Sequence, residues 1–216
     1  MRCWKLASFD LDGTLACVST SQHLAQKIGH AREMAAIELL YAQGQASNAD
    51  VANLDGKYYK GYSKSDIATL LADIPVIEKI GETVSYLSQR GIPSLISTLA
   101  WNFVAEAFAK RYGFVHWSGP TLVIDDKGLF TGKVATHFEE SDKPHFVKAV
   151  CNAMGIAMDD VFHVGDSRSD FPLFKAVGFS IALNGTRQAR SIAQASIDTK
   201  SLLGIVPLVP GLAQVP

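Results

Sequence analysis

Residues 5–15, KLASFDLDGTL, decide how this chain folds and what chemistry it carries. The apolar run at the start of this stretch is typical of a buried strand that ends in a loop. Asp10 and Asp12 are two positions apart, so an extended backbone directs both carboxylates to one face. Like charges this close raise each other's proton affinity unless a cation or a hydrogen-bond donor neutralises them, and oxygen ligands suit a hard ion such as Mg²⁺. Gly13 lets the chain turn sharply directly afterwards.

A second acidic pair lies in residues 161–170, VFHVGDSRSD. Asp166 follows another apolar strand with a glycine beside it, and Asp170 lies just beyond. In open α/β sheets, ligands bind at the carboxyl ends of the strands. We therefore expect the two acidic pairs to meet at that edge of adjacent strands.

The pattern of helices and strands divides the chain into two parts. Segments with helical periodicity fill about 19–71, and Gly29 and Gly44 are expected helix ends. After Pro75, helices alternate with strands, and residues 121–126 and 129–134 are expected to pair as a hairpin. This alternation predicts an α/β fold with a Rossmann-like, mostly parallel sheet covered on both faces. We predict a core of residues 1–16 and 76–216, with residues 17–75 as a helical cap.

Composition excludes several classes of protein. The chain has 20 Lys and Arg against 21 Asp and Glu, without the basic stripe of a nucleic-acid-binding protein. Its N-terminal apolar run is too short and too charged for a signal peptide, and no stretch is long enough to span a bilayer. Cys3, Cys17 and Cys151 form no disulfide framework and no metal-type pair, which favours a reducing compartment. We expect a cytoplasmic protein with no nucleic-acid or membrane partner, and leave its oligomeric state open.

Two further polar residues complete the candidate site. Ser97 ends the expected strand over 92–98, and Lys143 lies at the start of an expected helix that runs to about Met154. Alone, a serine or a lysine in such a place is more often a strand-end hydroxyl or a solvated cation, and short acidic motifs often form only turns or caps. The two acidic pairs, Ser97 and Lys143 occur in this order at strand ends or helix starts. Their joint occurrence favours one phosphate-binding pocket.

Taken in order, DLDGTL (10–15), LIST (95–98), Lys143 and GDSRSD (165–170) resemble the four motifs of the haloacid dehalogenase superfamily, in particular its phosphoserine phosphatase-like branch. The resemblance covers nearly the whole chain, including a helical insertion with the position and size of the family's cap. It implies a phosphatase that acts on a small phosphomonoester. Its implied site residues are Asp10 as the nucleophile, Asp12 as the general acid/base, Ser97, Thr98 and Lys143 around the phosphate, and Asp10, Asp12 and Asp166 around Mg²⁺, with Asp170 in support.

The implied reaction passes through an aspartyl-phosphate on Asp10, which splits one difficult step into two. The metal, held by Asp10, Asp166 and the backbone carbonyl of Asp12, shields the nucleophile from the phosphate's charge. Lys143 and Ser97 stabilise the phosphoryl oxygens. The carboxylate at position 12 also separates phosphatases and phosphomutases from dehalogenases and ion-pumping ATPases, which the resemblance implies lack it.

Several positions depart from the phosphoserine phosphatase pattern. Ser19 stands where the family has a glutamate for the substrate's amino group, and Asp55 where a cap arginine would hold the carboxylate. Lys57 or Lys60 could replace that arginine, although a lysine lacks its bidentate fork. Thr98-Leu99 replaces a glycine pair, and Ser169 replaces an asparagine. These differences weaken the prediction of phosphoserine as the substrate more than they weaken the prediction of phosphatase activity.

Three other functions share some of these features. A receiver-like signalling phosphoacceptor also uses clustered aspartates, but the length of this chain and its cap favour an enclosed small-molecule site. A phosphomutase or phosphotransferase would share every motif and retain its intermediate. A catalytically inert binding protein is disfavoured, because no core motif residue is missing. His163, inside an apolar strand, is expected to be a core histidine satisfied by the backbone, and Trp101 to be a packing residue.

Overall fold

The structure, a computed structural model, describes residues 3–212. Its centre is a sheet of six parallel strands in the order β3-β2-β1-β6-β7-β8. The strands of this sheet are β1 (Leu6–Phe9), β2 (Ser94–Ile96), β3 (His116–Trp117), β6 (Val161–Gly165), β7 (Phe179–Leu183) and β8 (Ala195–Ile197). The prediction of a mostly parallel α/β sheet is confirmed.

Helices cover both faces of this sheet. They are α5 (Ile80–Ser88), α6 (Asn102–Tyr112), α7 (Asp142–Met154), α8 (Phe171–Ala176) and α9 (Arg187–Ile192). Neighbouring residues of β1 point to opposite faces. Phe9 belongs to the larger hydrophobic core with residues of α5 and α6. Leu6 belongs to a second core with residues of α7 and α8. Burial on both faces explains why β1 is apolar without alternation.

Four helices follow β1: α1 (Thr20–Ile28), α2 (Ala31–Ala42), α3 (Asn48–Asp55) and α4 (Lys64–Leu70), with a 3₁₀ turn at Gly56–Tyr59. Serines fix the starts of α1, α3 and α4, whereas His30 at the start of α2 makes no capping hydrogen bond through its side chain. The side chain of Ser19 accepts from the amide of Gln22, and Ser47 and Ser63 form capping boxes with Asp50 and Asp66. Helix α1 ends at Gly29 with φ 104°, as expected for a glycine stop. We call helices α1–α4 the cap helices.

The predicted hairpin is present as β4 (Thr121–Ile124) and β5 (Phe130–Thr136). The hairpin is hydrogen-bonded to the segment that precedes α4 rather than to the six-stranded sheet. The amide of Gly61 donates to the carbonyl of Phe130 over 2.9 Å, and the amide of Phe130 donates to the carbonyl of Tyr62 over 2.8 Å. A segment after β3 therefore packs on the helical insertion, a contact that sequence periodicity did not predict. The division into core and cap by residue number stays a prediction.

The sheet brings three strand ends together. Phe9, the last residue of β1, pairs with Ile96 of β2 on one side and with Val164 of β6 on the other. The hydrogen bonding continues one residue further: the amide of Asp10 donates to the carbonyl of Val164, and the amide of Ser97 donates to the carbonyl of Phe9. The residues that follow β1, β2 and β6 consequently lie at one edge, where parallel α/β sheets bind ligands.

Candidate active site

Three carboxylates meet at this edge. Asp10, Asp166 and Asp170 each place a carboxylate oxygen within 4.8 Å of the others. Gly13, with φ 78°, makes the approach possible, because a Cβ there would lie 2.4 Å from Oδ2 of Asp166. The glycine of DLDGTL is thus required both for the turn and for the space taken by Asp166.

Lys143 is the cation of the cluster. It lies in the first turn of α7, is fully buried, and places Nζ 3.0 Å from Oδ1 of Asp10 and 2.7 Å from Oδ1 of Asp170. Burial alone would lower the pKa of Lys143, but the charges of Asp10 and Asp170 outweigh burial and raise that pKa. The lysine is therefore charged throughout the neutral range. A cation in the first turn of a helix also opposes the helix dipole, so the carboxylates stabilise its position.

Asp170 is fully engaged by donors. Besides Lys143, it accepts from Nε2 of His163 over 3.0 Å and from the amides of Asp166 and Ser167 over 2.9 and 3.2 Å. Burial would raise the pKa of Asp170, but Lys143 and His163 overcome it and lower that pKa. With both oxygens occupied, Asp170 holds Lys143 and the loop after β6 in place, and its supporting role in the metal site stays a prediction.

His163 has a larger part than the sequence indicated. Its Nδ1 does meet the backbone carbonyl of Ser8 at 3.2 Å, as well as the Ser8 hydroxyl at 2.9 Å. Its Nε2 contacts Asp170, so the ring joins β1 to the acidic cluster. The prediction of a histidine satisfied by the backbone was incomplete. The pairing of Ser8 with His163 across β1 and β6 exists only in the assembled sheet.

Asp12 lies apart from the carboxylate cluster and faces the cavity described below. Its Oδ1 accepts from the amide of Thr20 over 3.0 Å, at the start of α1. Burial raises the pKa of Asp12 to about 7, against the opposing effect of that hydrogen bond. A carboxyl with a pKa near neutrality can both give and take a proton, which suits general acid/base chemistry.

The cluster also contains buried polar atoms that have no hydrogen-bond partner within residues 3–212. They include Oδ1 of Asp166, Oγ of Ser97 and Oγ1 of Thr14. Burial, followed by the charge of Asp10, raises the pKa of Asp166 to about 8. Buried oxygens that lack partners, beside carboxylates that repel each other, fit an oxygen-coordinated divalent cation and a phosphate. Thr98 differs from Ser97, because its hydroxyl already accepts from the amide of Ala100.

A cavity of about 240 Å³ adjoins the cluster and lies between the cap helices and the sheet edge. From the sheet side, Asp10, Asp12 and Thr98 line it. Glu38 and Tyr41 of α2 line it from the cap side. With the buried Met34, these two residues occupy positions i, i+4 and i+7 of one helix face. A polar pair on a core-facing stripe was the signal in the sequence that could have revealed them.

Two of the positions that depart from the phosphoserine phosphatase pattern, Ser19 and Asp55, also line this cavity. The hydroxyl of Ser19 donates to Oε1 of Glu38 over 2.6 Å. Asp55 is completely buried and accepts from three side chains. Its donors are Nε2 of His30 at 2.6 Å, Nε1 of Trp101 at 2.7 Å and the hydroxyl of Tyr59 at 3.1 Å. Trp101 thus packs, as predicted, and also donates a hydrogen bond. Lys57 and Lys60 are exposed and are not among the cavity's described lining residues.

Comparison with known proteins agrees with this architecture. The family model described as haloacid dehalogenase-like hydrolase matches residues 7–175. A phosphoserine phosphatase of Albidiferax ferrireducens is 23% identical over 92% of this chain and 86% of its own. One from Halobacterium salinarum is 29% identical over 83% of this chain and 85% of its own.

Solved structures show the same fold. A phospho-aspartyl intermediate analogue of phosphoserine phosphatase superposes with a TM-score of 0.82 at 22% identity, covering 96% of this chain and 99% of that one. A substrate-bound phosphoserine phosphatase complex superposes with a TM-score of 0.83 at 21% identity, covering 97% and 100%. In the described part of the chain, no helix has the length and apolar character needed to cross a membrane. The sheet, the inserted helices and the family match together establish that this chain belongs to the haloacid dehalogenase-like hydrolase family.

Proposed function

We propose that this chain is a magnesium-dependent phosphatase of small phosphomonoesters, with Asp10 as its nucleophile. The observation that carries the proposal is the buried contact between Lys143 and Asp10, at the edge of a small cavity. A fully buried lysine that neutralises a carboxylate beside unpartnered hydroxyl and carboxylate oxygens is suited to an incoming phosphoryl group. The relatives named phosphoserine phosphatase support this class of reaction.

In the proposed reaction, a carboxylate oxygen of Asp10 attacks phosphorus and the bond from phosphorus to the ester oxygen breaks. Asp12 donates its proton to the departing oxygen, which leaves as an alcohol. Asp12 then accepts a proton from the water that attacks the aspartyl-phosphate, which releases inorganic phosphate and restores both carboxyls. Lys143 and the hydroxyl of Ser97 hold the phosphoryl oxygens through both steps. The Thr98 hydroxyl accepts from the amide of Ala100 and keeps its O–H donor for a phosphoryl oxygen.

Mg²⁺ would be held by the carboxylates of Asp10 and Asp166 and by the backbone carbonyl of Asp12. When bound, the ion supplies positive charge beside the phosphate. Asp170 is left to orient Lys143, because its oxygens are occupied by protein donors. Free thiols at Cys3, Cys17 and Cys151 are consistent with the reducing cytoplasm as the expected compartment.

The experiment is phosphate release from a panel of phosphomonoesters, with Mg²⁺ and after treatment with a chelator. We expect release that requires the metal and that is lost in the Asp10→Asn variant. Asp126→Asn, the same change at an exposed residue of the hairpin loop, is the matched control and should retain activity. A folded, metal-loaded protein that releases phosphate from no ester would contradict the proposal.

A hydrolase and a phosphomutase would use the same residues, so the same panel of esters distinguishes the two enzymes by their products. Stoichiometric inorganic phosphate indicates a hydrolase, whereas an isomeric phosphoester without free phosphate indicates a phosphomutase. A signalling phosphoacceptor would instead accumulate label on Asp10 without turnover. The enclosed cavity between the cap helices and the sheet favours an enzyme over a phosphoacceptor.

A further inference from the structure

The charged side chains among the described lining residues of the cavity beside Asp10 are all acidic. Four carboxylates, those of Asp10, Asp12, Glu38 and Asp55, line it. Among the described lining residues there is no Lys, Arg or His. The proposed function uses Asp10 and Asp12, so Glu38 and Asp55 are the carboxylates that face the rest of a substrate.

Asp55 already accepts three hydrogen bonds from protein side chains and is completely buried. Its Oδ1 accepts from Nε2 of His30, and its Oδ2 accepts from both Tyr59 and Trp101. His30, Tyr59 and Trp101 are all buried, so these contacts are shielded from solvent. Asp55 therefore contributes structure, and stands where a carboxylate-binding arginine would otherwise lie.

Glu38 does have capacity left. Each of its oxygens accepts one hydrogen bond from a neutral donor, Ser19 Oγ at 2.6 Å and Gln22 Nε2 at 2.5 Å. A carboxylate oxygen can accept more than one hydrogen bond. Within residues 3–212, no ion pair joins Glu38 to a basic side chain. Burial and then the charge of Asp55 raise the pKa of Glu38, against those two hydrogen bonds, which reflects an anion without a countercharge.

The cation beside Tyr41, a lining residue of the cavity, is already paired. Arg168 places its guanidinium 4.5 Å from the ring centre of Tyr41, and its Nε and Nη2 each lie 2.9 Å from Oε1 of Glu140. A substrate carboxylate in the cavity would thus meet Glu38 without a cationic partner, which is unfavourable.

We propose that the substrate is a small aminoalkyl phosphate, a phosphomonoester that carries an ammonium group and no carboxylate, and that Glu38 accepts from this ammonium. The inference rests on the proposed phosphatase function. A cavity of about 240 Å³ is smaller than those that hold drug-sized ligands, so the spacer between phosphate and ammonium is short. Val51, Ala52 and Trp101 provide an apolar wall for that spacer.

The test compares kcat/KM, with Mg²⁺, for matched pairs of esters. Aminoalkyl phosphates with two, three and four carbons are each paired with the hydroxyalkyl phosphate of the same length. O-phosphoserine and phosphoglycolate add a carboxylate with and without an amine. We expect at least one amine to exceed its hydroxyl partner roughly 10- to 100-fold, the range for one hydrogen bond to a charged group. Both carboxylate-bearing esters should be poorer than that amine.

The Glu38→Gln variant isolates the side chain. Glutamine keeps the size and can still bond Ser19, but removes the charge, so the amine-to-hydroxyl ratio should fall toward one. Glu33→Gln makes the same change at an exposed position of the same helix and should keep the ratio.

Three outcomes would overturn the inference. Equal rates for amine and hydroxyl esters would remove the role of Glu38, as would an unchanged ratio in Glu38→Gln. A preference for phosphoserine that is lost in Arg168→Gln would assign a carboxylate site to Arg168 instead. Turnover of esters without the amine preference defeats this inference alone, whereas no turnover of any ester defeats the proposed function and this inference together.

Discussion

The Nζ atom of Lys143 lies 3.0 Å from Oδ1 of Asp10, and both side chains are buried. The two residues come from distant parts of the chain, the end of β1 and the start of α7. Among the described ion pairs, Lys143 is the only Lys or Arg that is joined to Asp10, Asp166 or Asp170. The contact places this cation against the proposed nucleophile.

Replacing Lys143 by methionine should therefore impair both activity and stability. We expect kcat to fall by about 10²–10³-fold, because one preorganised charge is removed from the phosphoryl site. We also expect a loss of about 3–5 kcal/mol in the free energy of unfolding without metal, since buried carboxylates remain unpaired. Phosphate release and urea unfolding measure the two effects. Wild-type turnover in this variant would refute the proposed site, with Lys148→Met on the exposed face of α7 as the control.

Asp12→Asn should lower kcat by about 10²–10⁴-fold on alkyl phosphates, because the amide cannot donate the proton that the leaving alcohol needs. The loss should be smaller on an aryl phosphate whose leaving group is acidic, since that group departs without protonation. The ratio of the two losses is the readout. Equal losses on both esters would indicate that Asp12 positions the site without transferring a proton.

The stability of the metal-free protein should depend on pH through the carboxyl groups of Asp166 and Asp12. Burial raises the folded-state pKa of Asp166 from 3.8 to about 8 and that of Asp12 from 3.8 to about 7. The folded protein then binds more protons than the unfolded chain between about pH 4 and 8. The free energy of unfolding must therefore fall as the pH rises through this window.

Urea unfolding in the presence of a chelator, followed across pH 4 to 8, tests this prediction. We expect Asp166→Asn to reduce the slope by on the order of 1 kcal/mol per pH unit, because it removes one titrating group. Asp126→Asn should leave the slope unchanged. Parallel wild-type and Asp166→Asn curves would show that Asp166 titrates normally.

Asp55→Ala should destabilise the cap helices. The change leaves His30, Tyr59 and Trp101 with buried donors that lack their acceptor. Removing one member of a buried polar pair costs about 3–5 kcal/mol. For a chain of this length, this corresponds to a thermal midpoint lower by about 6–20 °C. Calorimetry against Asp126→Ala measures the shift, and an unchanged midpoint would show that water replaces the carboxylate.

Several elements were predictable because their physics is local. Strand β1, the hairpin and helix α7 could be predicted because each is a continuous run of residues with the hydrophobic pattern of its own type of element. Gly29 ends α1, as its backbone freedom predicts. The short β8 and α9 were not predicted. Each has few residues and little periodicity, and β8 is fixed by pairing with β7 rather than by its own sequence.

The sequence by itself determined that this chain forms a parallel α/β sheet and that the proposed motif residues Asp10, Asp12, Ser97, Lys143 and Asp166 follow strands or begin helices. Strand ends and helix starts can be recognised from neighbouring residues, and parallel strands bring their carboxyl ends to one edge. Only the tertiary structure decided that His163 bonds Asp170, that Asp55 is buried against His30, Tyr59 and Trp101, and that Glu38 faces the cavity. These contacts join residues on different elements, so their distances and burial depend on how the elements pack.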